Sequence, residues 1–174
     1  FLGGNDLMSQ WVKNISAQDE AKLIQNIYKH VNDVVNVYKK ERPDIKIIVS
    51  GYDYPHFRNK QLIPLYNKIY NRMLKPTHEE INNGLIRFTQ YFTKLDQPSR
   101  QIYYIHHLGL AHYYDGFDGA GMKPYTTLHP NYISARGKLS VIGGNSRYPS
   151  SLDSMISWLG IEKDSFHLSS KNYY

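Results

Sequence analysis

The sequence predicts an α/β protein, a three-layer α/β/α sandwich with a mostly parallel sheet. Two short runs rich in β-branched and aromatic residues, 45–49 and 101–106, each follow a segment with helical spacing of apolar residues. Alternating helices and strands are typical of βαβ units, whose strands run parallel. With 174 residues and 41% hydrophobic content, the chain is long enough for one domain with a real core.

The first long helix is predicted over residues 17–41. Ser16 is a suitable N-cap, and Asp19 follows three residues later, as in a capping box. Apolar residues then recur at helical spacing from residue 23 to residue 38, which predicts one buried face. Pro43 disfavours continuation of the helix, and the strand 45–49 follows.

The second half of the predicted fold is less regular. A weak helix is expected over 62–74, and Thr77 with Glu80 forms a capping box that opens a helix to about residue 95. After the strand 101–106, residues 108–148 are rich in glycine and lack periodicity, so we expect an irregular insertion there. A helix over 150–159 and the start of a closing helix after residue 167 complete the prediction.

Composition narrows the classes of partner. The formal charge is +6, but Lys and Arg are spread along the predicted helices, so we expect solvated faces and no nucleic-acid partner. No apolar run reaches the length of a membrane span, so we expect no transmembrane segment. The absence of Cys excludes disulfides within this stretch but identifies no compartment. The localisation is left unknown, with a secreted or periplasmic one slightly favoured.

Two short segments contain candidate catalytic residues. Near the start, Gly3, Gly4 and Asn5 suggest a buried strand that breaks into a glycine-rich turn, with an exposed amide suited to a tetrahedral oxyanion. Near the end, Asp164 lies three residues before His167. Such a pair on one short loop can act as an orienting carboxylate and a general base.

G-G-N-D at residues 3–6 followed by D-x-x-H at 164–167 resembles the SGNH (GDSL-type) serine esterase and lipase family. The resemblance implies hydrolysis of a small-molecule or glycan ester, including the carbohydrate deacetylase type, without a cofactor. It implies that Asn5 donates to the oxyanion hole and Gly4 shapes the turn. Asp164 and His167 complete a triad with a serine.

The serine is the departure from the family pattern. In that family it stands in a G-D-S block ahead of the G-x-N-D block, and this chain begins within the latter. We therefore expect residues 1–174 to be the C-terminal portion of one domain. The first strand and the nucleophile would come from the N-terminal portion of the same protein.

Three other segments contain residue patterns that resemble a functional site. Gly143, Gly144, Asn145 and Ser146 imitate a serine block, which would make the chain a circular permutant, and His129 is an alternative base. Residues 115–121 resemble a calcium loop but lack its alternating ligands and closing Glu, so no metal is expected.

Residues 52–57 follow the first predicted strand, at the end where open α/β sheets bind ligands. Tyr52, Tyr54 and His56 therefore either line the substrate cleft or form a purely structural turn.

Two further functions remain open. Transfer of the acyl group to an alcohol other than water uses the same residues, so the sequence does not separate it from hydrolysis. The second is a non-catalytic binding module, a degenerate hydrolase that only binds a glycan or protein in a tyrosine-rich cleft. The observation behind this alternative is the number of tyrosines in the chain, which is sixteen. A Gly-Asp-Ser segment upstream of Phe1 would favour the enzyme.

Overall fold

A computed structural model of the chain describes residues 3–57, 64–115, 144–150, 155–158 and 161–168. It is a mixed structure of helix and sheet. The helices are α1 (Gly4–Gln10), α2 (Ala17–Glu41), α3 (Pro64–Arg72), α4 (His78–Phe92) and α5 (Leu110–Asp115). The strands are β1 (Ile47–Ser50), β2 (Ile102–Ile105), β3 (Met155–Trp158) and β4 (Ile161–Leu168). None of the described helices is long and apolar enough to cross a bilayer.

The two long helices begin where their caps predict. Ser16 accepts a hydrogen bond from the Asp19 amide at the start of α2. At α4 the capping box is complete: the Thr77 hydroxyl accepts the Glu80 backbone N–H at 3.2 Å, and the Glu80 carboxylate accepts the Thr77 backbone N–H at 2.7 Å. The predicted apolar face of α2 is buried at five positions: Leu23, Ile24, Ile27, Val31 and Val35.

Strands β1 and β2 form a parallel pair, as the alternation of helix and strand predicts. Their register pairs Ile47 with Ile102 and Ser50 with Ile105. On one face, Val49 joins the apolar core shared with α2 and α4. On the other, Ile48 and Ile105 remain 64% and 38% exposed. The parallel pairing is confirmed, and helices α2 and α4 lie on one of its faces.

A buried carboxylate ties the helices together. Glu20 of α2 accepts hydrogen bonds from Trp11 Nε1 at 2.7 Å and from the Arg87 guanidinium at 2.8 Å. Burial raises the pKa of Glu20, but these donors outweigh it and hold the pKa below its usual value. Because Trp11 follows α1 and Arg87 lies on α4, this cluster fixes α1 against both long helices.

The last part of the chain differs from the prediction. A helix is predicted over residues 150–159. This prediction is wrong for residues 155–158, which form β3 and pair antiparallel with β4. In this stretch Ile156 and Trp158 flank Ser157, and Gly160, a poor helix former, follows. The apolar spacing of this short run fits a strand as well as a helix, which explains the error.

Candidate functional site

Because β1 and β2 are parallel, the segments that follow them meet at one edge of the sheet. Residues 51–57 follow β1 and are all buried. Of the predicted cleft residues among them, Tyr54 is fully buried, and Tyr52 and His56 are 6% and 5% exposed. His56 Nδ1 lies 2.8 Å from the Ser150 carbonyl oxygen. The described structure thus encloses these three side chains beneath the edge of the sheet.

Gly4 and Tyr52 bring the start of the chain to this edge. Gly4 is buried, and a Cβ placed on it would lie 2.2 Å from the Tyr52 ring. Residues 4–10 form helix α1 rather than a turn after a strand, so that prediction is wrong for this stretch. Gly3 takes a positive φ of 88° at the N-cap, which a glycine adopts without strain. Phe1 and Leu2 lie outside the described residues.

Asn5 lies in the first turn of α1 and is exposed. The N-cap is Gly3, and no side chain caps this helix end. Within the part of the chain that the structure describes, the Asn5 amide has no hydrogen-bond partner. The amide is therefore a donor at the surface, one residue from the contact between Gly4 and Tyr52.

The predicted acid–base pair lies on a strand rather than on a loop. Asp164 and His167 both belong to β4, and Asp164 is paired with Ile156 of β3 across an irregular register. Only the backbone course is described for this strand, so the geometry of the two side chains lies outside the described structure. His129 lies outside the described residues as well.

Asp53, which belongs to none of the motifs in the sequence, is held by several hydrogen bonds at this edge. It is 3% exposed, and its carboxylate accepts the backbone N–H groups of Tyr54, Gly109 and Ala111 at 2.6–2.7 Å. Burial raises the pKa of Asp53 to about 7, although these donors oppose the rise. Asp53 thereby joins the segment after β1 to the start of α5. The sequence feature that could have identified Asp53 as a candidate is its position directly after a predicted strand.

Three histidines follow β2 in the chain: His106, His107 and, within α5, His112. Burial lowers the pKa of His106, and it lowers the pKa values of His107 and His112 to about 4. His107 Nε2 lies 2.6 Å from Ser50 Oγ, and His112 Nδ1 accepts the Asn145 amide at 3.1 Å. His106 is 3% exposed, and neither ring nitrogen has a hydrogen-bond partner among the residues described. Burial therefore favours the neutral form of each ring.

The segment 144–150, which includes the alternative serine, packs against the same region. Asn82 of α4 donates to the carbonyl oxygens of Ser146 and Tyr148, at 3.0 and 2.8 Å. Ser146 is thus held through its backbone. Across the described ranges, no three His, Asp or Glu side chains are arranged to hold a metal ion.

Loss of the Asp53 carboxylate should destabilise the fold. Asp53→Ala leaves the buried N–H groups of Gly109 and Ala111 without an acceptor, at a cost of about 1–3 kcal/mol each. We expect a melting temperature lower by at least about 5 °C, measured by circular dichroism. Asp53→Asn is the matched control, since it retains one acceptor oxygen and should fall between Ala and wild type. Equal melting temperatures for Asp53→Ala and wild type would contradict this role.

The raised pKa of Asp53 also predicts a pH dependence. The folded-state value of about 7 lies above the unfolded value of about 4, so the folded state holds the proton more tightly between these pH values. The free energy of unfolding should therefore fall as the pH rises from about 4 to about 7. Denaturant titrations should show a flatter profile for Asp53→Asn than for wild type, and parallel profiles would contradict the shift.

No model of a protein family, curated protein or solved structure matches this chain. The functional interpretation therefore depends on the residues themselves and on where they lie.

Proposed function

We propose that the chain contributes the oxyanion donor and the acid–base pair of a serine-dependent carboxylic ester hydrolase with a three-layer α/β/α fold. The serine hydroxyl, supplied from upstream of Phe1, attacks the ester carbonyl carbon and passes its proton to His167. Asp164 orients the imidazole, and Asn5 donates to the oxyanion. The carbonyl–oxygen bond to the alcohol breaks as His167 returns the proton to the departing alcohol, which leaves the acyl group on the serine. Water then gives a proton to His167 and attacks this acyl–serine ester, and the acid is released as the serine regains its proton.

The observation that carries the proposal is the contact of Gly4 with the Tyr52 ring. Two segments 48 residues apart, each expected from the sequence to border the site, meet at the carboxyl edge of a parallel sheet. Open α/β sheets bind their ligands at this edge. An exposed amide at that position, on Asn5, is what an oxyanion donor requires.

Ser50 and His107 are an alternative nucleophile and base within the chain. Their separation of 2.6 Å suits proton transfer. However, a general base works best when its pKa is near the working pH, and burial lowers the pKa of His107 to about 4. Such an imidazole takes the serine proton poorly. We therefore assign this pair the structural role of joining the end of β1 to the segment after β2.

An activity comparison tests the proposal. The 174-residue chain should not hydrolyse p-nitrophenyl acetate above background, whereas the product that includes the upstream portion should turn it over, because the nucleophile lies there. Robust turnover by the isolated chain that is lost in Ser50→Ala or Ser146→Ala would place the nucleophile inside the chain. If the protein that includes the upstream portion is inactive but binds a glycan or protein, the result would favour the degenerate hydrolase that only binds its ligand.

A further inference from the structure

A cleft opens at the amino ends of β1 and β2, at the opposite end of these strands from Tyr52 and Asp53. It lies between the last turns of α2 and the residues that precede the two strands, and its volume is about 330 Å³. Such a volume is at the lower end of the range for ligand sites, so the cleft fits a small molecule. Its lining residues are Asn36, Lys39, Lys40, Pro43 and Arg100.

Three cationic side chains from two parts of the chain meet in this cleft. Lys39 and Lys40 belong to the last turn of α2, and Arg100 precedes β2. Lysines often stabilise the carboxyl end of a helix through its dipole, but Arg100 lies outside the helix and needs another explanation. Among the described residues no carboxylate lines the cleft, and the nearby carboxylate of Asp44 is bound by Arg42 at 3.0 Å.

The guanidinium of Arg100 is held in place by neutral acceptors. Its Nη2 donates to Asn36 Oδ1 and its Nη1 donates to Gln97 Oε1, both at 2.8 Å. These bonds leave the charge of Arg100 uncompensated, and a guanidinium has further N–H donors. Because the side chain is already positioned, a ligand that binds it loses less conformational entropy.

Lys39 adds a charge that is almost buried. The residue is 9% exposed, and its Nζ donates to the carbonyl oxygens of Pro43 and Ile45, at 3.0 and 2.5 Å. These two neutral acceptors satisfy part of the hydrogen bonding of the ammonium but none of its charge. Burying a cation is costly unless an opposite charge accompanies it, so an anion bound in the cleft would offset part of this cost.

We propose that this cleft binds the phosphate or sulfate group of a small molecule. A tetrahedral anion presents several acceptor oxygens, which suits charged donors that come from both α2 and the turn before β2. The three cations lie in one cleft rather than along a track, which favours a single anionic group over a nucleic acid or another polyanion. The proposal stands on this cleft, independently of the ester chemistry.

Titration of the isotope-labelled chain with inorganic phosphate, followed by NMR at constant ionic strength, tests the proposal. We expect saturable shifts in the amides of residues 36–45 and 97–101, which border the cleft, and none in those of residues 51–57. Parallel titrations with sulfate and acetate identify the ligand group. The tighter binder of phosphate and sulfate is the favoured group, and acetate, with two oxygens and one charge, should bind more weakly than both.

Substitutions separate a built site from the general attraction of a basic protein for anions. Lys40→Gln should weaken phosphate binding about tenfold, because a hydrogen bond between charged groups is lost. Lys22→Gln removes the same charge from an exposed position near the start of the same helix and should leave binding unchanged. Asn36→Ala keeps every charge but removes an acceptor that positions Arg100, so it should also weaken binding.

Three outcomes would overturn the proposal: no saturable shift at the residues that border the cleft, acetate binding as tight as that of phosphate, or equal effects of Lys22→Gln and Lys40→Gln. Both lysines are exposed, so neither substitution should disturb the fold, and circular dichroism would verify this.

Discussion

His167→Ala should remove nearly all ester turnover from the enzyme that includes the upstream portion. In the proposed mechanism His167 takes the serine proton and then delivers it to the leaving alcohol, so both halves of the reaction depend on it. Loss of one triad member commonly lowers kcat by several orders of magnitude. Steady-state kinetics on a p-nitrophenyl ester would measure the loss, and an unchanged circular dichroism spectrum would show that the fold persists.

His129→Ala is the matched control for that experiment, because His129 was the alternative base in the sequence. It should leave most of the turnover. A large loss in His129→Ala with an active His167→Ala would move the base to His129. The D-x-x-H match at 164–167 would then be accidental.

Asn5→Ala should lower kcat by at least about a hundredfold with little change in KM. An oxyanion donor binds the tetrahedral intermediate more strongly than the ground-state ester, so its loss appears in the rate rather than in substrate affinity. Removal of one such donor costs about 10²–10³ in kcat. The measurement is again on the extended enzyme, with kcat and KM determined separately.

The melting temperature separates this role from a structural one. Asn5 is exposed and does not cap α1, so its truncation should change the free energy of unfolding by less than about 0.5 kcal/mol. A variant that melts early while its folded fraction keeps full kcat would make Asn5 a scaffold residue. The oxyanion hole would then have to be built by other donors.

Local chemistry made α2 and α4 predictable from the sequence. Each begins at a side-chain cap, Ser16 or Thr77, and continues with one apolar stripe long enough to exclude a strand. The start of the chain lacks such signals. Two adjacent glycines predict a break in secondary structure, but Gly3 adopts a positive φ at the N-cap of α1, and position 4 fits only a glycine because a Cβ there would overlap the Tyr52 ring.

The candidate site was predictable only in part. The alternation of elements predicted parallel strands, and the parallel pairing of β1 and β2 places residues 52–57 at the carboxyl edge of this pair, as their position after a strand predicts. The constraint on Asp53 and the lowered pKa of His107 arise from burial by segments distant in sequence. No local pattern encodes that burial.

The hydrogen bonds of Asp53 also bear on the order in which the chain folds. Helix α5 has six residues, too few to nucleate on its own in water. Its first turn is held by a carboxylate 56 and 58 residues earlier in the chain, so α5 can form only after β1 and β2 have brought those segments together. Non-local contacts of this kind form late in folding, because the intervening loop must first be closed. Helix α5 should therefore consolidate after α2 and α4, so a newly made chain should contain folded α2 and α4 before α5 appears.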